Sequence, residues 1–288
     1  MFPQPFTYRA PTSLTEAIDL LAECSEQDTE ILAGGQSLLP TMKAGLATPD
    51  VLIDIGNIPS LHGISHDSNT IRIGAMTPYA DVLRDEQVFS LNTVFCEALA
   101  AIGDVQVRNR GTVGGNLAHA DPAADLTSAA LAADVTVHVV GQEGERTLPI
   151  DEFFVGMFTT AIEPHEILTQ IDVPVLTDDQ VGSYVKKASP ASGYAMVGVA
   201  ARLTVADDYV TDARIAASGA TDHAIRLPAV EEALLSSSLK EAPSTASFAT
   251  EGIEEWQFMD DIHASSEYRA HLLVEYCERA ITSALSSL

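Results

Sequence analysis

"RNRGTVGGNLAHADPAADL", residues 108–126, holds a diglycine, a histidine and two aspartates but no lysine. A metal site, a phosphate cradle and a plain turn compete for it. Far upstream, "LAGGQSL" (32–38) repeats the design of "GTVGGNL" (111–117), a diglycine followed by a small polar residue. Glycine lets backbone N–H groups approach a ligand and converge on it, so that an uncharged loop can hold a phosphate. A strand before residue 33 and a helix after residue 37 would add the partial positive charge of a helix N-terminus. Two such loops can grip a pyrophosphate from both sides, although a single diglycine at a strand end is commonly a plain turn. Neither segment matches the G-x-G-x-x-G fingerprint or a Walker A loop.

The metal reading is the weaker one. His119, Asp121 and Asp125 offer imidazole and carboxylate donors, but a proline interrupts the run and no second cluster exists elsewhere. Loop capping and helix N-capping are the expected roles. Ser37 and Ser189 have no histidine and aspartate at a hydrolase spacing. Cys24, Cys96 and Cys277 lie far apart with no C-x-x-C pair, which excludes a zinc or iron–sulfur centre built from this chain's cysteines. Buried small hydrophobes are expected instead. In "YVKKAS" the neighbouring Lys186 and Lys187 would point to opposite faces of a strand. One ammonium can then face a cofactor that becomes anionic on reduction, while an exposed pair is the plain alternative.

Charge narrows the partners. The 288 residues carry 41 acidic and 15 basic side chains, a formal charge of −26. Such a field repels phosphate backbones and anionic lipids, so neither nucleic acid nor a membrane surface is expected as a partner. An acidic, lysine-poor surface suits a high-salt cytoplasm, because at moderate salt this much self-repulsion opposes compaction. The start "MFPQPFTYRAP" lacks a secretory pattern, and no window reaches about 18 apolar residues. A cytoplasmic protein without a transmembrane segment is expected, with two or three domains at this length.

Periodicity outlines those domains. "SLTEAIDLLAEC" (13–24), "SLLPTMKAG" (37–45), "TPYADVLRDEQV" (77–88), "NTVFCEALAAIG" (92–103), "DLTSAALAAD" (125–134) and the final "SEYRAHLLVEYCERAITSAL" (266–285) have helical spacing. "TEILAGG", "VLIDIGNI" (51–58), "TIRIGAM", "VTVHVV" and "ILTQIDVPV" (167–175) have strand character. The first 55 or so residues form a βαβ-type unit. After the acidic "LTDDQ", three further strands follow as an antiparallel meander.

Taken in order, "AGGQSLLP", "QVRNRGTVGGNLAHADPAADL", "EILTQIDVP" and "YVKKASPASGYAMVGVAARL" closely resemble the FAD-binding medium subunits of molybdenum hydroxylases. That group includes the flavoprotein of aerobic carbon monoxide dehydrogenase and is related to the flavin domain of xanthine dehydrogenase. The resemblance implies an α+β fold. A two-lobed FAD domain of the vanillyl-alcohol-oxidase (PCMH) type spans 1–176, with lobes at about 1–56 and 57–176. A C-terminal domain with a three-stranded antiparallel sheet and helices spans 177–288.

It also implies pyrophosphate loops at Ala33, Gly34, Gly35, Gln36 and Ser37, entered from Leu32, and at Thr112, Val113, Gly114, Gly115 and Asn116. Asp125 would lie near the ribityl chain, with a backbone contact from Leu168. Lys186 would stand at the pyrimidine edge of the flavin, Tyr194 beside the ring and Ile102 along the site. Arg108 and Arg110 either assist the second loop or are surface counter-charges.

The implied function is electron transfer. Substrate is oxidised on a large molybdenum-binding partner, and electrons pass through iron–sulfur (2Fe–2S) clusters on a small partner to FAD here. They then go to a quinone, dioxygen or NAD. The implied assembly is a dimer of heterotrimers. No catalytic acid or base is needed on this chain, and Lys186 and Tyr194 are its candidate flavin-tuning residues. Two alternatives are a free-standing flavin oxidase and a flavin-carrying interaction subunit without turnover.

Overall fold

The computed structural model describes residues 2–235 and 237–288. Lobe one comprises β1 (Thr7–Arg9), α1 (Leu14–Glu23), β2 (Thr29–Leu32), α2 (Leu38–Ala44) and β3 (Val51–Asp54). Its sheet is parallel with order β1-β3-β2, so each strand returns through a helix or loop crossing, as a βαβ unit requires. The Ser13 hydroxyl opens α1 by accepting the Glu16 N–H at 3.2 Å. The buried face of Ala17, Ile18 and Leu21 packs on Val51 and Ile53. Gly45, at φ 76°, closes α2 in the left-handed region, where glycine meets no Cβ penalty. β3 ends earlier than the apolar run suggests, because the Asp54 carboxylate turns the chain by accepting the Gly56 N–H.

Lobe two begins with β4 (Ile64–His66) and β5 (Thr70–Gly74). It continues through α3 (Tyr79–Arg84), α4 (Glu86–Leu91), α5 (Thr93–Ala101), α6 (Val105–Arg108), α7 (Val113–His119) and α8 (Asp125–Ala132). It ends with β6 (Thr136–Gly141), β7 (Gly144–Pro149), the small hairpin β8 (Phe154–Gly156) and β9 (Thr159–Thr160), and β10 (Ile167–Pro174). The five-stranded sheet is antiparallel with order β4-β5-β10-β6-β7. Ile71, Ile73, Val137, Val139, Ile171 and Val173 supply its core face.

Three local expectations change here. The single helix expected over 77–88 is broken at Asp85, whose carboxylate accepts the N–H groups of Gln87 and Val88 and starts α4 anew. An aspartate offers that cap at little cost wherever the chain can turn. The glycine-rich "GTVGGNL" is a helix start rather than an open loop, capped by the Thr112 hydroxyl on the Gly115 N–H. In "HADPAAD", Asp121 caps its loop at the Ala123 N–H. Asp125, however, is the first residue of α8 and is not its cap.

The C-terminal domain carries β11 (Gln180–Ala188), β12 (Ala195–Ala206), β13 (Tyr209–Ser218) and β14 (Ile225–Arg226), then α9 (Pro228–Leu234) and α10 (Ser266–Leu285). The strands form an antiparallel sheet in chain order. The expected meander of three thus gains a two-residue fourth strand. One face is covered by Leu273, Cys277 and Ile281 of α10. On the other, Tyr184, Ala200 and Ala216 join the core of lobe two. With both faces covered, β12 is buried without alternation from Ala195 to Leu203. At the rim of this junction Asp134 faces the guanidinium groups of Arg202, Arg214 and Arg226.

Candidate functional site

Between β2 and α2 the chain turns through residues 33–37, with Gly35 at φ 71°. A Cβ on Gly34 would collide with the Arg110 carbonyl and lie 2.8 Å from the Gly111 Cα. A Cβ on Gly115 would sit 3.2 Å from that of Ala33. The two glycine segments therefore touch, and only residues without side chains allow it. Together with Leu168 of β10 and Tyr194 they wall a cleft of about 580 Å³, a size typical of small-molecule sites.

Hydrogen-bond accounting separates the two segments. Among the described residues, the N–H groups of Gly34, Gly35, Gln36 and Ser37 find no acceptor within the chain. In the second segment Val113, Gly114 and Asn116 donate to the carbonyls of Thr77, Ala75 and Thr112 at 3.1, 2.9 and 3.0 Å, and Gly115 donates to its cap. Two matching cradles were expected. The structure instead pairs one open N–H loop with one internally bonded helix start.

The second segment's polar offer is a side chain. Asn116 Nδ2 donates to the Tyr79 hydroxyl at 3.1 Å, while Asn116 Oδ1 is buried with no donor. An acceptor left so costs about 1–3 kcal/mol, which a ligand hydroxyl or N–H would recover. Burial pushes the Tyr79 phenol well up, against the Asn116 bond, so it keeps its proton.

No lysine or arginine is among the described residues lining the cleft, so an anion there would be held by amide dipoles. Glu30, Asp121, Glu163 and Glu166 are the cleft's acids. Burial, aided by the Asp28 charge, raises the Glu30 carboxyl. Glu166 is held bidentately by Arg146, with both N–O distances 2.6 Å, which lowers its pKa.

Of the residues singled out from sequence, 33–37, Thr112, 114–116, His119, Asp121, Leu168 and Tyr194 line the cleft. Leu32, Ile102, Val113, Asp125 and Lys186 are not among the residues that line it. The buried Asp125 accepts the Tyr184 hydroxyl at 2.5 Å and the Lys186 ammonium at 2.9 Å. Burial raises its pKa, and the lysine charge opposes that shift. Lys186 also donates to the carbonyls of Ala101 and Gly193, both at 2.8 Å. All three ammonium donors are thereby engaged within the protein, and they tie lobe two to the turn that carries Tyr194. The Tyr194 phenol is raised chiefly by burial and then by Asp121, with the Ser37 hydroxyl opposing.

Arg108 donates to the carbonyls of Ile102 and Gly103, and so braces that turn. Tyr79, Phe158 and the Arg146–Glu166 pair were not singled out from sequence. Each reaches the cleft through long-range packing, and no local pattern marks it.

Residues 4–176 match the family described as the FAD binding domain in molybdopterin dehydrogenase. This chain belongs to that family. Residues 183–284 match the CO dehydrogenase flavoprotein C-terminal domain. The chain is 36% identical to the nicotine 6-hydroxylase medium subunit of Paenarthrobacter nicotinovorans, with 96% of each chain covered. It is 35% identical to the carbon monoxide dehydrogenase medium chain of Hydrogenophaga pseudoflava, covering 99% of this chain and 98% of that one.

Among solved structures, carbon monoxide dehydrogenase from H. pseudoflava lacking the Mo-pyranopterin moiety superposes with a TM-score of 0.94 at 35% identity, over 99% of both chains. Quinoline 2-oxidoreductase from Pseudomonas putida 86 gives 0.92 at 31% identity, over 100% of this chain and 99% of that one. The resemblance read from the motifs is thus confirmed, as are the FAD-binding domain and the fold class. The relatives are oxidoreductase subunits. Among the described residues no helix is long and apolar enough to cross a membrane.

Proposed function

We propose that this chain is the FAD-carrying medium subunit of a molybdenum hydroxylase complex, relaying electrons from iron–sulfur clusters on a small partner to an external acceptor. The molybdenum centre would sit on a large partner, as the names of the relatives suggest. The observation that carries the reading is the open N–H loop at 34–37, seated against the glycines of the second segment beside the orphaned Asn116 Oδ1. These groups fit a ligand with a pyrophosphate and hydroxyl-bearing linker.

In this reading the N–H groups of 34–37 would hold phosphate oxygens, and Asn116 Oδ1 would accept from the linker. Leu168 and Tyr194, which line the cleft, would border the linker and the ring. Lys186 and Asp125 would act through the turn carrying Tyr194 that they fix. FAD, when bound, supplies the capacity to take up electrons singly and release them as a pair. The protein's tasks are orientation and exclusion of water, and no acid or base on the chain is required.

The test is a titration of the full chain with FAD, followed by flavin absorbance and fluorescence. Gly34→Ala forces the Ala33–Ser37 loop off the Arg110 carbonyl and should weaken FAD binding by about tenfold or more, a loss of some 1.4 kcal/mol, while cooperative unfolding persists. Equal affinity in the folded variant, or turnover of an organic substrate by the isolated chain, would overturn the proposal.

A further inference from the structure

Tyr79 opens α3 directly after Pro78, and its backbone is tied to the second glycine segment as well as to its own helix. Its N–H donates to the Gly111 carbonyl at 3.1 Å, and Pro78 forms an antiparallel bridge with Thr112. A Cβ on Gly111 would lie 2.5 Å from Tyr79 Cε2, so the ring presses on bare backbone there. The residue is 5% exposed and belongs to the core of lobe two, while it also lines the cleft. A ring held this way leaves its hydroxyl little freedom.

The bonds of that hydroxyl are half made. A phenol oxygen accepts and its proton donates. Asn116 Nδ2 supplies the accepted bond at 3.1 Å. Among the described residues no group of the chain accepts the Tyr79 proton, which burial keeps on the oxygen. The same bond spends Asn116 Nδ2 on Tyr79 and leaves Asn116 Oδ1 without a donor. One unused donor and one unused acceptor therefore stand on two hydrogen-bonded side chains in the wall of one cleft. Such a pair complements a group that both donates and accepts, as an alcohol hydroxyl does. A phosphate oxygen only accepts, so it would leave Oδ1 unanswered.

We infer that Tyr79 is a further binding and positioning residue, donating to a hydroxyl of the cofactor's polyol linker and orienting Asn116 so that Oδ1 accepts from the same linker. This rests on the FAD reading above and deepens it. The Tyr79–Asn116 pair serves the ribityl stretch, and the phosphates are left to the N–H groups of 34–37.

Titration of the full chain with FAD, and displacement of bound FAD by ADP, test it. ADP carries the adenosine and both phosphates but no polyol. Tyr79→Phe keeps the ring and should lower FAD affinity about tenfold, the order that a linked pair of hydrogen bonds supplies. ADP affinity should stay within about twofold of wild type, the spread of independent sites. Asn116→Ala should also weaken FAD, and the double variant should lose less than the product of the two single losses, because Tyr79 acts partly through Asn116. If thermal melting shows Tyr79→Phe unfolded, Tyr79→Met, an apolar chain that adapts to the space, takes its place. Undiminished FAD affinity in the folded variant or single losses that simply multiply would overturn the inference. So would an equal loss for ADP, which would put the pair on the phosphates, or ADP that fails to displace FAD from the wild type. A wild-type chain that takes up no FAD sinks the cofactor reading and this inference with it. FAD uptake that Tyr79→Phe leaves unchanged sinks this inference alone.

Discussion

Lys186 gives its three donors to Asp125, Ala101 and Gly193, so its removal leaves a buried carboxylate without a counter-charge. Lys186→Met should cost about 3–5 kcal/mol in urea unfolding. The double variant Asp125→Asn, Lys186→Met should cost less than Lys186→Met alone, because the stranded charge goes with it. Glu166 gives a pH signature. Its carboxyl is lowered chiefly by the Arg146 bond, so its contribution is present above the unfolded carboxylate range, about 4.3, and is lost as pH falls through the folded value. Glu166→Gln should therefore melt below the wild type at neutral pH and approach it in acid, as thermal scans across that range would show. The cysteines were readable as buried hydrophobes from their isolation, and burial pushes the Cys96 and Cys277 thiols up to about 12. The role of Asp125 was not readable. Its side-chain partners stand 59 and 61 positions away, beyond any local pattern.

Elements were most legible where a cap announces them. Ser13, Gly45 and the amphipathic run 266–285 mark helix limits that the structure reproduces within a residue or two. The break at Asp85 and the helical "GTVGGNL" escaped for one reason. A capping side chain can start a helix anywhere, and whether it does depends on what the first turn packs against. For α7 that neighbour is Ala75, which a Cβ on Gly114 would approach to 2.5 Å at the side chain and 2.8 Å at the backbone. Gly114→Ala should accordingly lower the melting temperature by several degrees, the effect of a few kcal/mol of overpacking. Gly34→Ala, at the cleft, should chiefly lose cofactor affinity. Gly114 also lines the cleft, so a comparison of melting curve and FAD titration for the two variants weighs how far each glycine serves the fold and how far the site.

The whole molecule carries −26 charges, and we propose that it is adapted to high salt. Raising NaCl from 0.1 M to 1 M shortens the screening length from about 10 Å to about 3 Å. It should raise the melting temperature, since exposed self-repulsion is screened while the buried Asp125–Lys186 pair is not; a fall on adding salt would count against this. Cap residues and apolar periodicity by themselves placed most elements, and the resemblance carried by the quoted motifs supplied the α+β fold class and the family. Only the tertiary structure decided that one glycine segment keeps its N–H groups free while the other uses them internally. It alone left Asn116 Oδ1 without a donor and turned Lys186 inward. Spacing encodes which face a residue presents within its own element. Whether a polar group is satisfied depends on which distant segment folds against it, and no short stretch of sequence contains that partner.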